Sequence, residues 1–172
     1  MNYTEHNAKA WDVIGEGSSE DGRAQFTQMI SHEDYLRAKE GFLQVSLTSS
    51  KYVPENWFPS LKGKKILGLA CGGGQQGPVF AAHGADVTII DISPRHLEKL
   101  AAKREGYSIT TLLCDMEKTL PFDDNSFDII FNPVSNCYIE NILPVWKECA
   151  RILKTGGILM MGYVKEEHFM FE

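Results

Sequence analysis

Lys65–Gly84 reads KILGLACGGGQQGPVFAAHG. An apolar run, Lys65–Ala70, leads into four glycines between Gly72 and Gly77. A helical pattern follows, with Pro78 near its first turn. Glycine lacks a Cβ, so a ligand can come against the main chain there and positive φ is open. The N-terminus of the helix behind the loop offers free N–H groups and a positive dipole end, which suits a carboxylate or a phosphate. Gly72-x-Gly74-x-x-Gly77 also satisfies the dinucleotide fingerprint, but that pattern alone is weak, and a bare strand-to-helix turn uses glycines equally well.

Outward from this stretch, the rhythm is a strand alternating with a helix. Ala85–Asp91 (ADVTIID) is the next strand. SPRHLEKLAAKREG has Ser93 as N-cap, Pro94 at the first helical position and Gly106 as stop. YSITTLLCD is a third strand and Phe127–Asn132 (FDIIFN) a fourth. LPVWKECARILKTGG reads as a helix closed by Gly156 and Gly157, and ILMMGYV as a fifth strand. Near-continuous Ile, Val and Leu in the strands predict a sheet covered on both faces. The expected fold is α/β: a doubly wound, mostly parallel, Rossmann-like sheet. Residues 1–60 read differently. Ser31–Gly41 has a Ser start, early acids and a Gly stop, and Lys51–Lys65 reads as a connector with Pro54, Pro59 and Gly63. The division expected is a helical extension or lid over 1–60 and a core over 61–172.

In a doubly wound sheet, ligands sit beyond the carboxyl ends of the strands. There the chain places the glycine loop, then Asp91 (17 positions beyond Gly74), then Cys114-Asp115-Met116, then Asn132-Pro133. A carboxylate at the position of Asp91 can accept two hydrogen bonds from ribose hydroxyls.

Together, ILGLACGGG, TIIDIS, LLCDM, FDDNSFDIIFN and ARILKTGGILMMG resemble the class I S-adenosylmethionine-dependent methyltransferase family over roughly Lys64 to Val164. The resemblance implies S-adenosylmethionine as cofactor. It implies that Ala70, Gly72 and Gly74, with Cys71 in the same loop, lie against its methionine part. Asp91 would take the ribose hydroxyls and Ile92 the adenine face. Asp115 would accept from the adenine amino group, with the Met116 N–H facing the ring, and the Asn132 backbone would line the methionine end. Gln75 or Gln76 is a candidate for the amino-acid carboxylate. The family usually carries an acid where this chain has Gly68 and a glycine where it has Ala70. Its members also usually add two last strands after the fifth, which this sequence lacks. A fifth strand left as an edge invites pairing with a second copy, hence an expected homodimer.

Bulk properties narrow the partners. The net charge is −6 without a basic stripe, which argues against nucleic acid and anionic membranes and for a small-molecule substrate. Cys71, Cys114, Cys137 and Cys149 form no C-x-x-C pair and suit reduced thiols in a cytoplasmic protein. His6, His32, His83, His96 and His168 have no metal spacing and read as structural or solvent-facing; no metal is expected. Asp123-Asp124 reads as a solvated turn. Trp11, Trp57 and Phe58 are core aromatics or part of a lid. The expected activity is methyl transfer from S-adenosylmethionine to a small molecule by in-line displacement. The spacing selects no catalytic base among Tyr3, His6 and Tyr138. The alternatives are a non-catalytic or truncated cofactor-binding relative and, below that, an NAD-dependent oxidoreductase.

Overall fold

A computed structural model describes residues 2–15, 29–48, 51–102 and 106–163. Five strands make the sheet: β3 (Lys65–Leu69), β4 (Asp86–Asp91), β5 (Ile109–Leu113), β6 (Phe127–Asn132) and β7 (Leu153–Met161). Their order is β5-β4-β3-β6-β7 and every pair is parallel. The chain starts in the middle, builds outward to β5, then crosses back to β6. The switch point is therefore between β3 and β6.

Side chains alternate across the strands and feed two cores. On one face Ile66, Val87, Ile89, Ile129 and Phe131 pack with Val79 and Phe80 of α3 (Gln76–Ala82) and Leu97 and Leu100 of α4 (Pro94–Ala102). Tyr35 and Ala38 of α2 (His32–Lys39) join them. On the other face Leu67, Leu69, Ile90 and Ile130 pack with Val145, Cys149 and Ile152 of α5 (Ile142–Ile152). Helices on both faces explain why the strands read as unbroken apolar runs. The caps follow the expected chemistry. Ser31 accepts from the Asp34 N–H at the start of α2, and Ser93 Oγ accepts from the His96 N–H at the start of α4.

Three features differ from the sequence reading. The helix expected to run into Lys154-Thr155-Gly156-Gly157 ends at Ile152, because Leu153 is already extended and pairs with Phe127. The register then shifts between Phe127 and Ile129, and Gly156, at φ 77°, sits in that irregularity. Second, the region before the core holds a small antiparallel hairpin, β1 (Ser46–Thr48) with β2 (Lys51–Tyr52), where part of a connector was expected. Third, the last strand stops at Met161. The segment KEEHFMFE and His168 lie outside the described residues, as do 103–105 of the helix before Gly106.

α1 (Tyr3–Gly15) packs against α4. Asp12 Oδ1 accepts from Ser93 Oγ (2.6 Å) and from the Arg95 N–H (3.3 Å). The residue that caps α4 thus also fastens α1 to it. No helix among the described residues is long and apolar enough to cross a membrane.

Candidate functional site

A cleft of about 380 Å³ opens at the carboxyl ends of β3, β4, β5 and β6. Of the candidate residues read from the sequence, Ala70, Cys71, Gln75, Gln76, Asp91, Ile92, Asp115 and Met116 line it. Gly72, Gly74 and Asn132 are not on its wall.

Asp91 ends β4 and is buried. Its Oδ2 accepts from the Gly72 N–H at 2.8 Å and its Oδ1 from the Ser93 N–H at 2.9 Å. A carboxylate has about four lone-pair positions, so roughly two remain for a ligand. Burial pushes this carboxyl up; the N–H groups of Ser93 and Gly72 and the nearby His96 pull it back. Gly72 is what allows the approach. A Cβ there would lie 2.7 Å from His96 Cβ and 2.8 Å from Asp91 Oδ2. Gly74, at φ 80°, faces the other way: its carbonyl accepts from the Ile30 N–H (3.1 Å), and a Cβ on it would strike Met29.

Asp115, after β5, holds its own turn by accepting from the Glu117 N–H (2.9 Å), and the residue lines the cleft. Asn132 is fully buried. Its amide donates to the Leu69 carbonyl (2.8 Å) and to Ser135 Oγ, and its main-chain carbonyl accepts from the Gly162 N–H (2.9 Å). It ties the ends of β3, β6 and β7 together behind the wall, which Pro133, Val134 and Ser135 form. Gln76 donates to the Ser46 carbonyl (3.3 Å), fixing β1 beside the glycine loop.

The departures at Gly68 and Ala70 have a local cause. A Cβ on Gly68 would lie 2.3 Å from Ile89 Cδ1 and 3.1 Å from Cys71 Cβ, so the space an acid would need is filled. Cys71 Sγ donates to the Phe131 carbonyl (3.5 Å), and burial pushes the thiol well above its usual range. It is a packed, protonated side chain rather than a nucleophile. Ala70 adopts φ 52° at the turn where glycine would be unstrained.

This arrangement is a glycine loop, a carboxylate after the second strand of the sheet and a carboxylate after the third, all at one switch point. Residues 67–161, more than half of the chain, match a family model described as "Methyltransferase domain". The chain belongs to this methyltransferase family. An uncharacterized methyltransferase of Bacillus subtilis, YbaJ, is 45% identical over 169 residues, covering 97% of this chain and 64% of the relative. A ubiquinone biosynthesis O-methyltransferase of Idiomarina loihiensis is 28% identical over 130 residues, covering 67% of this chain and 54% of its own length. The crystal structure of an S-adenosylmethionine-dependent methyltransferase from Mesorhizobium loti is 26% identical with a TM-score of 0.55, covering 59% of this chain and 47% of that one. The chain spans less than two thirds of the length of these relatives.

In this methyltransferase domain the cleft also has a roof, drawn from the region that the sequence reads as a helical extension or lid. Tyr3, Thr4, Asn7 and Trp11 of α1 line it, with Ser46, Leu47 and Thr48 of β1 at one side. Trp11 meets Tyr138 edge-on at 5.1 Å and His96 at 5.9 Å. Asn7 donates to the Tyr138 carbonyl (2.8 Å), and Tyr3 Oη donates to Glu117. Phe58 packs on Phe80 in the core, whereas Trp57 is exposed. The signal that could have found α1 is weak, since its aromatic positions make sense only once Asp12 is seen to reach Ser93. Asp124, in the turn before β6, pairs with Arg151 (2.9 Å).

Proposed function

We propose that this domain transfers a methyl group from S-adenosylmethionine to a small-molecule acceptor, with residues 1–60 acting as a lid on a core of 61–172. S-adenosylmethionine is the cofactor that family membership assigns. The observation that carries the reading is the convergence of the Gly72 loop, Asp91 and Asp115 on one cleft at the switch point. The cleft fits the group: Asp91 keeps free acceptor positions after its two backbone bonds, and the absence of a Cβ at Gly72 lets that carboxylate sit against the loop main chain at the edge of the cleft. Asp91 would hold the ribose hydroxyls. Asp115 and the Met116 N–H would hold the adenine edge, with Ile92 on its face. Ala70, Cys71, Gln75 and Gln76 would bound the methionine end, and Gly72, Gly74 and the Asn132 backbone support that end from behind.

When bound, the cofactor supplies a methyl group already activated on a sulfonium. The work left to the chain is alignment and exclusion of water. Pro133–Ser135 and Tyr138 form one wall of the cleft, and α1 roofs it. An acceptor would be held between them, and an in-line displacement would gain most of its rate from such positioning. The aromatic faces of Trp11 and Tyr138 suit a cation. A base is needed only for an acceptor that must lose a proton. A net charge of −6 and a relative named for a quinone pathway support a small acceptor over nucleic acid.

Calorimetry with S-adenosylmethionine, S-adenosylhomocysteine and NAD on the wild-type chain and Asp91→Ala tests the reading. Binding of both adenosyl compounds, weak or absent in Asp91→Ala while the variant stays folded, is the expected result. Binding of NAD alone would overturn it.

A further inference from the structure

We propose that the cleft holds its cofactor chiefly by the adenosine half, so that 5′-thioadenosines lacking the amino-acid portion bind in its place. The inference rests on the adenosyl-binding reading of the cleft.

Charge on the cleft wall is one-sided. Among the described residues its acids are Asp91, at the end of β4, and Asp115 and Glu117, after β5, and no lysine or arginine lines it. The wall that follows β3 (Ala70, Cys71, Gly73, Gln75 and Gln76) and the wall that follows β6 (133–135) are neutral. The acidic side is the one that would face ribose and adenine. The neutral side would face the sulfur and the amino-acid portion, which brings an ammonium and a carboxylate.

Polar side chains on the neutral side are engaged within the protein. Gln76 is buried, and its Nε2 donates to the Ser46 carbonyl (3.3 Å). Cys71 Sγ donates to the Phe131 carbonyl (3.5 Å), and burial keeps the thiol protonated. Ser135 Oγ accepts from the Asn132 amide. The end of β3 has no room for a side chain: a Cβ on Gly68 would lie 2.3 Å from Ile89 Cδ1 and 3.1 Å from Cys71 Cβ. An ammonium or carboxylate on this side therefore meets neutral dipoles rather than an opposite charge. A charge taken from water onto neutral dipoles gains little, because the hydration it loses offsets the new contacts. The other side differs. Asp91 is buried and keeps acceptor positions beyond the Gly72 and Ser93 N–H groups, which match uncharged hydroxyls.

The test varies the ligand first, so it needs no variant to fold. Calorimetry on the wild-type chain gives the dissociation constants of S-adenosylhomocysteine, of its analogue without the α-amino group, and of 5′-methylthioadenosine. Both analogues should bind within about tenfold of S-adenosylhomocysteine. Removing one partner of a buried charge pair typically costs about thirtyfold or more. A loss beyond about tenfold for either analogue would therefore reveal a charged hold on the amino-acid portion and overturn the proposal. Asp91→Asn, which keeps the shape of the side chain, is the second arm. It should weaken S-adenosylhomocysteine and 5′-methylthioadenosine by the same factor, about tenfold or more. A loss for S-adenosylhomocysteine alone would put 5′-methylthioadenosine at another site and also overturn the proposal. Failure of the wild type to bind any of the three ligands would instead count against the adenosyl reading of the cleft.

Discussion

At the scale of single residues, the glycine loop carries a strain that one substitution should relieve. Ala70 sits at φ 52°. The left-handed region costs an alanine roughly 1–2 kcal/mol, while glycine gives back about 0.4–1 kcal/mol through its freer unfolded chain. Ala70→Gly should therefore raise stability by about 0.5–1 kcal/mol in denaturant titration; a lower midpoint would show that the Ala70 methyl packs usefully. The neighbouring departure behaves oppositely. Gly68→Asp restores the family's usual acid, but its Cβ meets Ile89 Cδ1 at 2.3 Å and its charge enters a dry core. Overpacking and an unpaired buried carboxylate predict a loss of about 3 kcal/mol or more, read as a large drop in melting temperature. Both departures were visible as letters. Their meaning was not, because the space beside Gly68 is set by Cys71 and Ile89 from another strand. That Asp91 would end a strand at the cleft was legible from the apolar run before it. That Gly72 and Ser93 already use one lone pair on each oxygen could be learned only from the folded loop. His96 reads as structural or solvent-facing; the fold buries it, which helical spacing alone does not decide.

Among the elements, strands and caps were legible where one physical signal dominated. Phe127–Asn132 was read with the bounds it has, because an apolar run between two polar turns leaves little choice. The end of α5 was not, since pairing of Leu153 with Phe127 outweighs the helical pattern that continues past it. The β1–β2 hairpin, of three and two residues, is too short to show an alternation. How β6 is joined to its neighbours offers a pH test. Asp128 on β6 accepts from the Lys65 N–H of β3 (2.9 Å) and from Lys154 Nζ of β7 (2.8 Å), with Lys64 at 3.7 Å. The Lys154 bond, first, and the Lys65 N–H hold its carboxyl below the usual range. A lowered carboxyl stabilises the fold at pH above the ordinary carboxylate range, and that contribution disappears as pH falls through the lowered folded value. Asp128→Asn should cost about 1 kcal/mol at neutral pH, limited by solvent exposure and by the acceptor that asparagine keeps. The two proteins should converge in acid, in paired denaturation curves at pH 7 and pH 3. A difference independent of pH would assign the effect to shape rather than charge.

For the whole molecule, the parallel order β5-β4-β3-β6-β7 puts the switch point and the cleft at the centre and leaves two outer strands. The central half of that design is what the sequence announces, since glycines and carboxylates recur at successive strand ends. The outer half depends on what covers the edges, and no local pattern encodes that. Among the described residues β7 pairs only with β6. Its Leu159 is exposed, and Trp146 of α5 and Tyr163 just beyond the strand lie exposed near it, joined by a bond from Trp146 Nε1 to Tyr163 Oη (3.1 Å). Main-chain donors and acceptors left unpaired among the described residues, beside apolar side chains, favour addition of another strand. We propose that a second copy of this chain supplies it. Edge pairing is weak per residue, so the dimer should depend on concentration, rising in light scattering as the protein is concentrated. A lysine on an edge strand opposes such pairing at little cost to the fold. Leu159→Lys should therefore remain monomeric at concentrations where wild type dimerises, with its melting temperature and S-adenosylhomocysteine affinity nearly unchanged. A wild type monomeric throughout would remove the edge as an interface. A dimer that survives Leu159→Lys would move the interface to another face, leaving the cleft and its chemistry untouched.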